Sequence, residues 1–125
     1  MSKRSLVAVV DDDESVRESL PDLLSVLGFS SKAFGSAEAF LASDCVGTTK
    51  CLLLDIVMPG MSGPDLQQEL KRREARIPIV FITANGDATA RRRLLKHGAV
   101  ECLFKPFSDT ELRDAVNTAL GRIIP

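Results

Sequence analysis

Five polar residues of this 125-residue chain have types and surroundings suited to chemistry: Asp11, Asp12, Asp55, Thr83 and Lys105. Each stands at or just past the end of a short apolar run. The triplet Asp11-Asp12-Asp13 follows 6–10, Asp55 closes 51–55, Thr83 closes 79–83, and Lys105-Pro106 follows 100–104. An acidic triplet ahead of a helix is ordinary by itself, because carboxylates cap free N–H groups and favour the helix dipole by about 0.3–1 kcal/mol each. That accounts for one or two of the aspartates. It leaves Asp55, which follows three leucines, where an unpaired carboxylate is expensive to bury. Carboxylates gathered at one sheet edge repel, and each resists ionising unless a cation neutralises them. A bound divalent ion removes that cost, and all-oxygen ligation without nearby His or Cys favours Mg²⁺ or Mn²⁺ over zinc.

Lys105 follows an apolar run and precedes a proline, which places its ammonium to reach the acidic cluster as a mobile point charge. Thr83 is followed by the small Ala84 and by Asn85-Gly86, so its hydroxyl and the next backbone N–H face the same cleft. Taken singly, a solvated lysine and a β-branched strand residue explain both. Together, carboxylates, a divalent metal, a lysine and a hydroxyl suit phosphoryl transfer, where catalysis is mostly positioning and charge neutralisation. A carboxylate can itself be the nucleophile, giving an aspartyl-phosphate. Asp55 is the natural candidate, being central and least explained by capping.

These residues need elements to position them. Short β-branched or leucine-rich runs alternate with longer amphipathic stretches five times, the pattern of a parallel α/β sheet. The strands are expected at 6–10, 31–34, 51–55, 79–83 and 100–104, with the polar 31–34 at an edge. Helices are expected over 14–27 and 87–97, closed by Gly28 and Gly98 as left-handed caps, over 37–42 behind Ser36, from Pro64 to about 75, and to about 120 behind a Ser108/Glu111 capping box. Pro21 falls inside the first helix and should bend it. Ligands of such sheets bind outside the carboxyl ends of the strands, where the polar residues gather.

Composition narrows the partners. Apolar residues make up 45% and charged residues 26%, typical of a folded domain, and the net charge of −1 lacks the field that draws proteins to nucleic acid or anionic lipid. Direct nucleic-acid and membrane binding are therefore not expected. The three cysteines, Cys45, Cys51 and Cys102, have no paired spacing, which suits a reducing cytoplasm. The chain is expected to be one domain over 1–125, with a core of about 5–120 and no output domain attached; its last five residues suit a tail or the start of a linker.

Four motifs, Val9-Val10-Asp11-Asp12-Asp13-Glu14, Leu53-Leu54-Asp55-Ile56-Val57-Met58-Pro59-Gly60-Met61-Ser62-Gly63, Phe81-Ile82-Thr83-Ala84 and Phe104-Lys105-Pro106-Phe107, occur in one order and spacing. Over nearly the whole chain the sequence resembles the CheY-like receiver domain of bacterial two-component response regulators, nearest to the FixJ-like nitrogen-fixation subgroup. The resemblance implies a flavodoxin-like, doubly wound α/β fold with five parallel strands in order 2-1-3-4-5. It implies that Asp55 accepts a phosphoryl group from a sensor histidine kinase, with Mg²⁺ held by Asp12, Asp55 and the Val57 carbonyl and by Asp11 through water. Thr83 and Lys105 would contact the phosphoryl group, and the Lys105-Pro106 peptide would be cis. Phosphorylation would change affinity for an output domain or protein partner, with a phosphorylation-dependent homodimer as one outcome.

One departure concerns the switch. The family usually has an aromatic residue three positions before the lysine, whose rotamer couples to the threonine; Cys102 stands there instead. Cys102 reads better as a small buried thiol than as a redox sensor, and Phe104, on the same strand face, is expected to take part of the aromatic's role. Asp13 is left as a helix cap. His97 reads as a residue of a helix C-terminus rather than a phosphohistidine, and Arg91-Arg92-Arg93 and Lys71-Arg72-Arg73 as solvated helix faces. The competing class is a Mg²⁺-dependent phosphatase of the haloacid dehalogenase type. Such enzymes need an acid two residues after the nucleophile, and Val57 occupies that place.

Overall fold

The computed structural model describes residues 5–84 and 88–121. Five strands, β1 (Leu6–Val10), β2 (Ser30–Phe34), β3 (Cys51–Asp55), β4 (Ile79–Thr83) and β5 (Glu101–Phe104), form one parallel sheet in order β2-β1-β3-β4-β5. They alternate with α1 (Glu14–Val26), α2 (Ala37–Ala42), α3 (Gly63–Arg72), α4 (Ala88–Lys96) and α5 (Asp109–Ala119). Because successive strand residues point to opposite faces, the continuous apolar runs of β1, β3 and β4 supply two cores at once. On one face Val7, Val9, Leu53 and Ile82 meet Leu20 and Leu24 of α1 and Leu112 and Val116 of α5. On the other, Ala8, Val10, Leu54, Phe81 and Cys102 meet Phe40 of α2, Leu66 and Leu70 of α3 and Leu94 of α4.

The helix ends show why the sheet's carboxyl edge is ordered. Asp13 caps α1, accepting from the Ser15 N–H. Ser62 and Ser108 open α3 and α5 with reciprocal capping boxes to Asp65 and Glu111. At the opposite ends α1 and α4 stop at Gly28 and Gly98, with φ of +97° and +105°. In each, the glycine N–H bonds the carbonyl three residues back and the following N–H reaches a carbonyl five residues back, closing the last turn.

Several boundaries differ from the sequence expectation. β2 begins at Ser30 and β5 at Glu101, where ladder pairing to Leu6 and Val80 starts. α1 runs through Pro21 to Val26, with Leu27 as its C-cap. The α3 helix ends at Arg72, not near residue 75, because Glu74 takes the left-handed conformation (φ +57°) that glycine occupies elsewhere, with the Glu74 N–H on Lys71 O and the Ala75 N–H on Leu70 O. The helix start expected at Asp87 lies outside the described residues. Among those described, no helix is long and apolar enough to cross a membrane.

Candidate functional site

The ends of β1, β3, β4 and β5 bring the chemical residues together. Asp11, Asp12, Asp13, Asp55, Val57, Thr83, Ala84 and Lys105 line one cleft of about 210 Å³. Parallel registry does this: Val10 pairs with Leu54, Asp55 with Ile82, and Thr83 with Phe104, so the ends of four strands lie side by side.

The three aspartates after β1 have different surroundings. Asp11 is fully buried; its Oδ1 accepts from the Asp13 N–H at 2.9 Å and its Oδ2 from Lys105 Nζ at 3.2 Å. Arg17 of α1 holds the Asp11 carbonyl at 3.0 Å. Asp12 is exposed at the mouth, and Asp13 is turned outward as the cap, its carboxyl lowered by the Ser15 hydroxyl and N–H. Asp55, at the end of β3, is half-buried. Its carboxyl is pushed up to about 7, first by burial and then by the charge of Asp11; Lys105 pulls the other way, and Asp12 adds to the rise.

Oxygen atoms of Asp11, Asp12 and Asp55 all lie within 4.8 Å of one another. Opposite ligands of an octahedral Mg²⁺ stand about 4.2 Å apart and adjacent ones about 3 Å, so this cluster fits a small hard cation. The raised Asp55 carboxyl is what burial, first, and the neighbouring carboxylates of Asp11 and Asp12, next, should produce against the pull of Lys105. The donor set and its electrostatics are consistent with Mg²⁺.

Thr83 is buried beside the cleft, and its carbonyl accepts from the Lys105 N–H at 2.8 Å, which fixes the start of the β5–α5 loop. The Lys105-Pro106 peptide is cis. Val57 is 74% exposed at the cleft rim. Phe104 is 38% exposed and lies directly beside Thr83 in register, on the same sheet face, whereas Cys102 is 4% exposed beside Phe81. His97 is exposed at the end of α4, and its carbonyl receives Gln67 and Lys71 of α3. At the surface, Arg72 and Arg73 pair with Glu69, and Arg91 with Glu101, while Arg92 and Arg93 are exposed.

Sequence reasoning missed the structural role of Glu38 in α2, whose Oε2 accepts from the Met61 N–H at 3.0 Å in the β3–α3 loop. An exposed helical glutamate carries no signal of this. Gly63 was visible only as part of a motif. A Cβ there would stand 2.3 Å from the Asp55 carbonyl oxygen, so the start of α3 can pass under the end of β3 only as glycine.

A parallel sheet in order 2-1-3-4-5 carrying strand-end acids, a threonine and a lysine defines a flavodoxin-like receiver. The response regulator receiver domain family matches residues 7–117, and the chain belongs to that family. It is 48% identical over 121 residues to Nodulation protein W of Bradyrhizobium diazoefficiens, covering 97% of this chain and 53% of that protein. It is 40% identical over 116 residues to the transcriptional regulatory protein FixJ of Azorhizobium caulinodans, covering 93% and 55%. The solved structure of FixJ-N matches with a TM-score of 0.84 and 37% identity, over 100% of this chain and 99% of that one. The chain thus spans about half the length of the curated relatives it matches. Receiver domains of two-component response regulators are signalling domains rather than classical enzymes, and they interact with histidine kinases and output domains.

Proposed function

We propose that this chain is a phosphorylation-operated switch in which Asp55 accepts a phosphoryl group from a phosphohistidine on a sensor histidine kinase. The observation that carries this is the convergence of Asp11, Asp12 and Asp55 oxygens within 4.8 Å, with the Lys105 ammonium on the buried member. Asp12, Asp55 and the Val57 carbonyl would hold Mg²⁺, or Mn²⁺ in its place. Asp11, whose two oxygens each accept a hydrogen bond from the protein, would act through water, as the family resemblance implies. Bound Mg²⁺ supplies charge neutralisation at the carboxylates and the transferring phosphoryl oxygens.

In the transfer, an Asp55 Oδ attacks phosphorus; the new P–O bond forms as the P–N bond of the donor breaks, and that bonding pair stays on the imidazole nitrogen. An ionised carboxylate needs no base, so the chain's own work is alignment and charge. Lys105, held by Asp11 before transfer, turns part of its charge to the phosphoryl group, and the Thr83 hydroxyl donates to one of its oxygens. Phe104, adjacent to Thr83 in register, is the side chain best placed to follow that movement in the absence of an aromatic at Cys102. The added charge shifts a two-state equilibrium toward a form with different affinity for an output domain or protein partner, homodimerisation included. Such signalling places the chain in the cytoplasm.

Asp55→Asn is expected to abolish labelling by a small phosphodonor with Mg²⁺, whereas Asp13→Asn keeps it, as befits a cap. Stable label on the Asp55 variant would overturn the assignment, and sustained turnover of phosphorylated metabolites by the wild type would favour the phosphatase class instead. Equal activation-linked responses in wild type and Phe104→Ala would remove Phe104 from the switch.

A further inference from the structure

The β3–α3 loop carries the Val57 carbonyl assigned above to Mg²⁺, and three consecutive amides hold the far end of that loop. The Gly63 N–H bonds Ile56 O at 2.9 Å, the Ser62 N–H bonds Asp65 Oδ2 at 3.1 Å, and the Met61 N–H bonds Glu38 Oε2 at 3.0 Å. The first two are local, closing the loop on itself and capping α3. The third is different. It reaches across 23 positions to a helix on another part of the sheet. Glu38 sits in the first turn of α2, whose start is fixed by Ser36 accepting from the Ala39 N–H and whose Ala37 and Phe40 are fully buried. Its carboxylate therefore projects from an anchored base. Gly60 turns the loop toward it with φ +74°, and a Cβ at Gly60 would come within 2.7 Å of the same Glu38 oxygen. The close approach thus depends on both residues: glycine to let the loop in, and a carboxylate to receive the amide through a charge-assisted bond.

We infer that Glu38 is a positioning residue for the magnesium site, holding the β3–α3 loop from α2 so that the Val57 carbonyl is presented to the ion in advance. The inference rests on the magnesium reading given above. A carbonyl ligand on a loop contributes most when the loop needs no ordering on binding, so removing the tie weakens affinity for the ion without removing a ligand.

The test uses the full chain as wild type, Glu38→Ala and Glu38→Gln, with Mg²⁺ itself as probe. Calorimetry gives the affinity, and hydrogen exchange of the Met61 amide in metal-free protein reports the tie. Glu38→Ala should speed Met61 exchange and weaken Mg²⁺ binding by about tenfold, the low end of the loss for a group that supports a metal ligand from behind. Glu38→Gln, whose Oε1 can accept the same bond, should stay within about twofold of wild type on both measures. Faster Met61 exchange in Glu38→Ala with unchanged Mg²⁺ affinity overturns the inference. Equal weakening in the Ala and Gln variants also overturns it, since charge and not the bond would then be responsible. Wild-type protein that takes up no Mg²⁺ removes the magnesium reading itself, a failure separable from the others because it appears before any substitution is made.

Discussion

Three adjacent aspartates share one charge and have three fates, decided by where their backbone sits. Asp11 still lies on the β1 line and is buried under Lys105; Asp12 faces the cleft mouth; Asp13 has turned outward to cap α1. Asp55, opposite them, carries the electrostatic cost of the group. Its carboxyl stands at about 7 in place of 3.8. Between those two values the folded chain binds a proton that the unfolded chain has released, so metal-free stability falls as pH rises through that window. The ion needs the ionised carboxylate, so its affinity moves in the opposite sense. Mg²⁺ binding should strengthen by up to about tenfold per pH unit below neutrality and level off above it. Calorimetric titrations across that range check this, and a flat profile would contradict the role given to Asp55. Cys102 is a buried thiol, as the sequence suggested, and its pKa is raised by burial; Cys45 and Cys51 are buried as well, with Cys51 pushed up to about 12.

At the scale of elements, helix termini do much of the positioning, and two of them make opposite predictions. Gly63→Ala would force a methyl against the Asp55 carbonyl, 2.3 Å away, in a segment that cannot yield without moving the end of β3. A loss of about 1–3 kcal/mol is expected, as for other overpacked sites, together with slower labelling of Asp55. Glu74→Gly relieves a left-handed non-glycine residue at the end of α3, and should raise stability by roughly 0.5–1 kcal/mol despite the added freedom of the unfolded chain. Urea denaturation of both variants measures the two signs. The capping box of α5 could be anticipated from Ser108 and Glu111, because a cap is a short-range pattern of residue types. That of α3, Ser62 with Asp65, emerged only in the structure, the sequence having marked the helix start by Pro64 alone. The positive φ of Glu74 could not be anticipated either, since nothing about a glutamate announces it; it accompanies the Glu74 N–H to Lys71 O and Ala75 N–H to Leu70 O bonds that close α3.

For the molecule as a whole, the site is a meeting point of strand ends, so occupancy should stabilise the fold and not only the loops. Mg²⁺ at a hundredfold excess over its dissociation constant is expected to add about 2.7 kcal/mol by mass action. That corresponds to a rise in melting temperature on the order of 10 °C for a domain of this size. Asp12→Asn should lose most of that shift while melting normally without the ion, because Asp12 is exposed and holds up nothing in the core. Thermal denaturation with and without Mg²⁺ decides it.

The apolar runs, their alternation with amphipathic stretches, the caps at Ser36 and Ser108, and the polar residues ending four of the strands are all local in the chain. For that reason the fold, and the convergence of those polar residues on one cleft, could be read from residue order alone. The pairing of Lys105 with Asp11 across 94 positions, the half-burial that lifts the Asp55 carboxyl, and the reach of Glu38 to Met61 were settled only by folding. Distances of that kind depend on sheet registry and on how closely helices approach the strand ends, and neither quantity is carried by any one segment of the sequence.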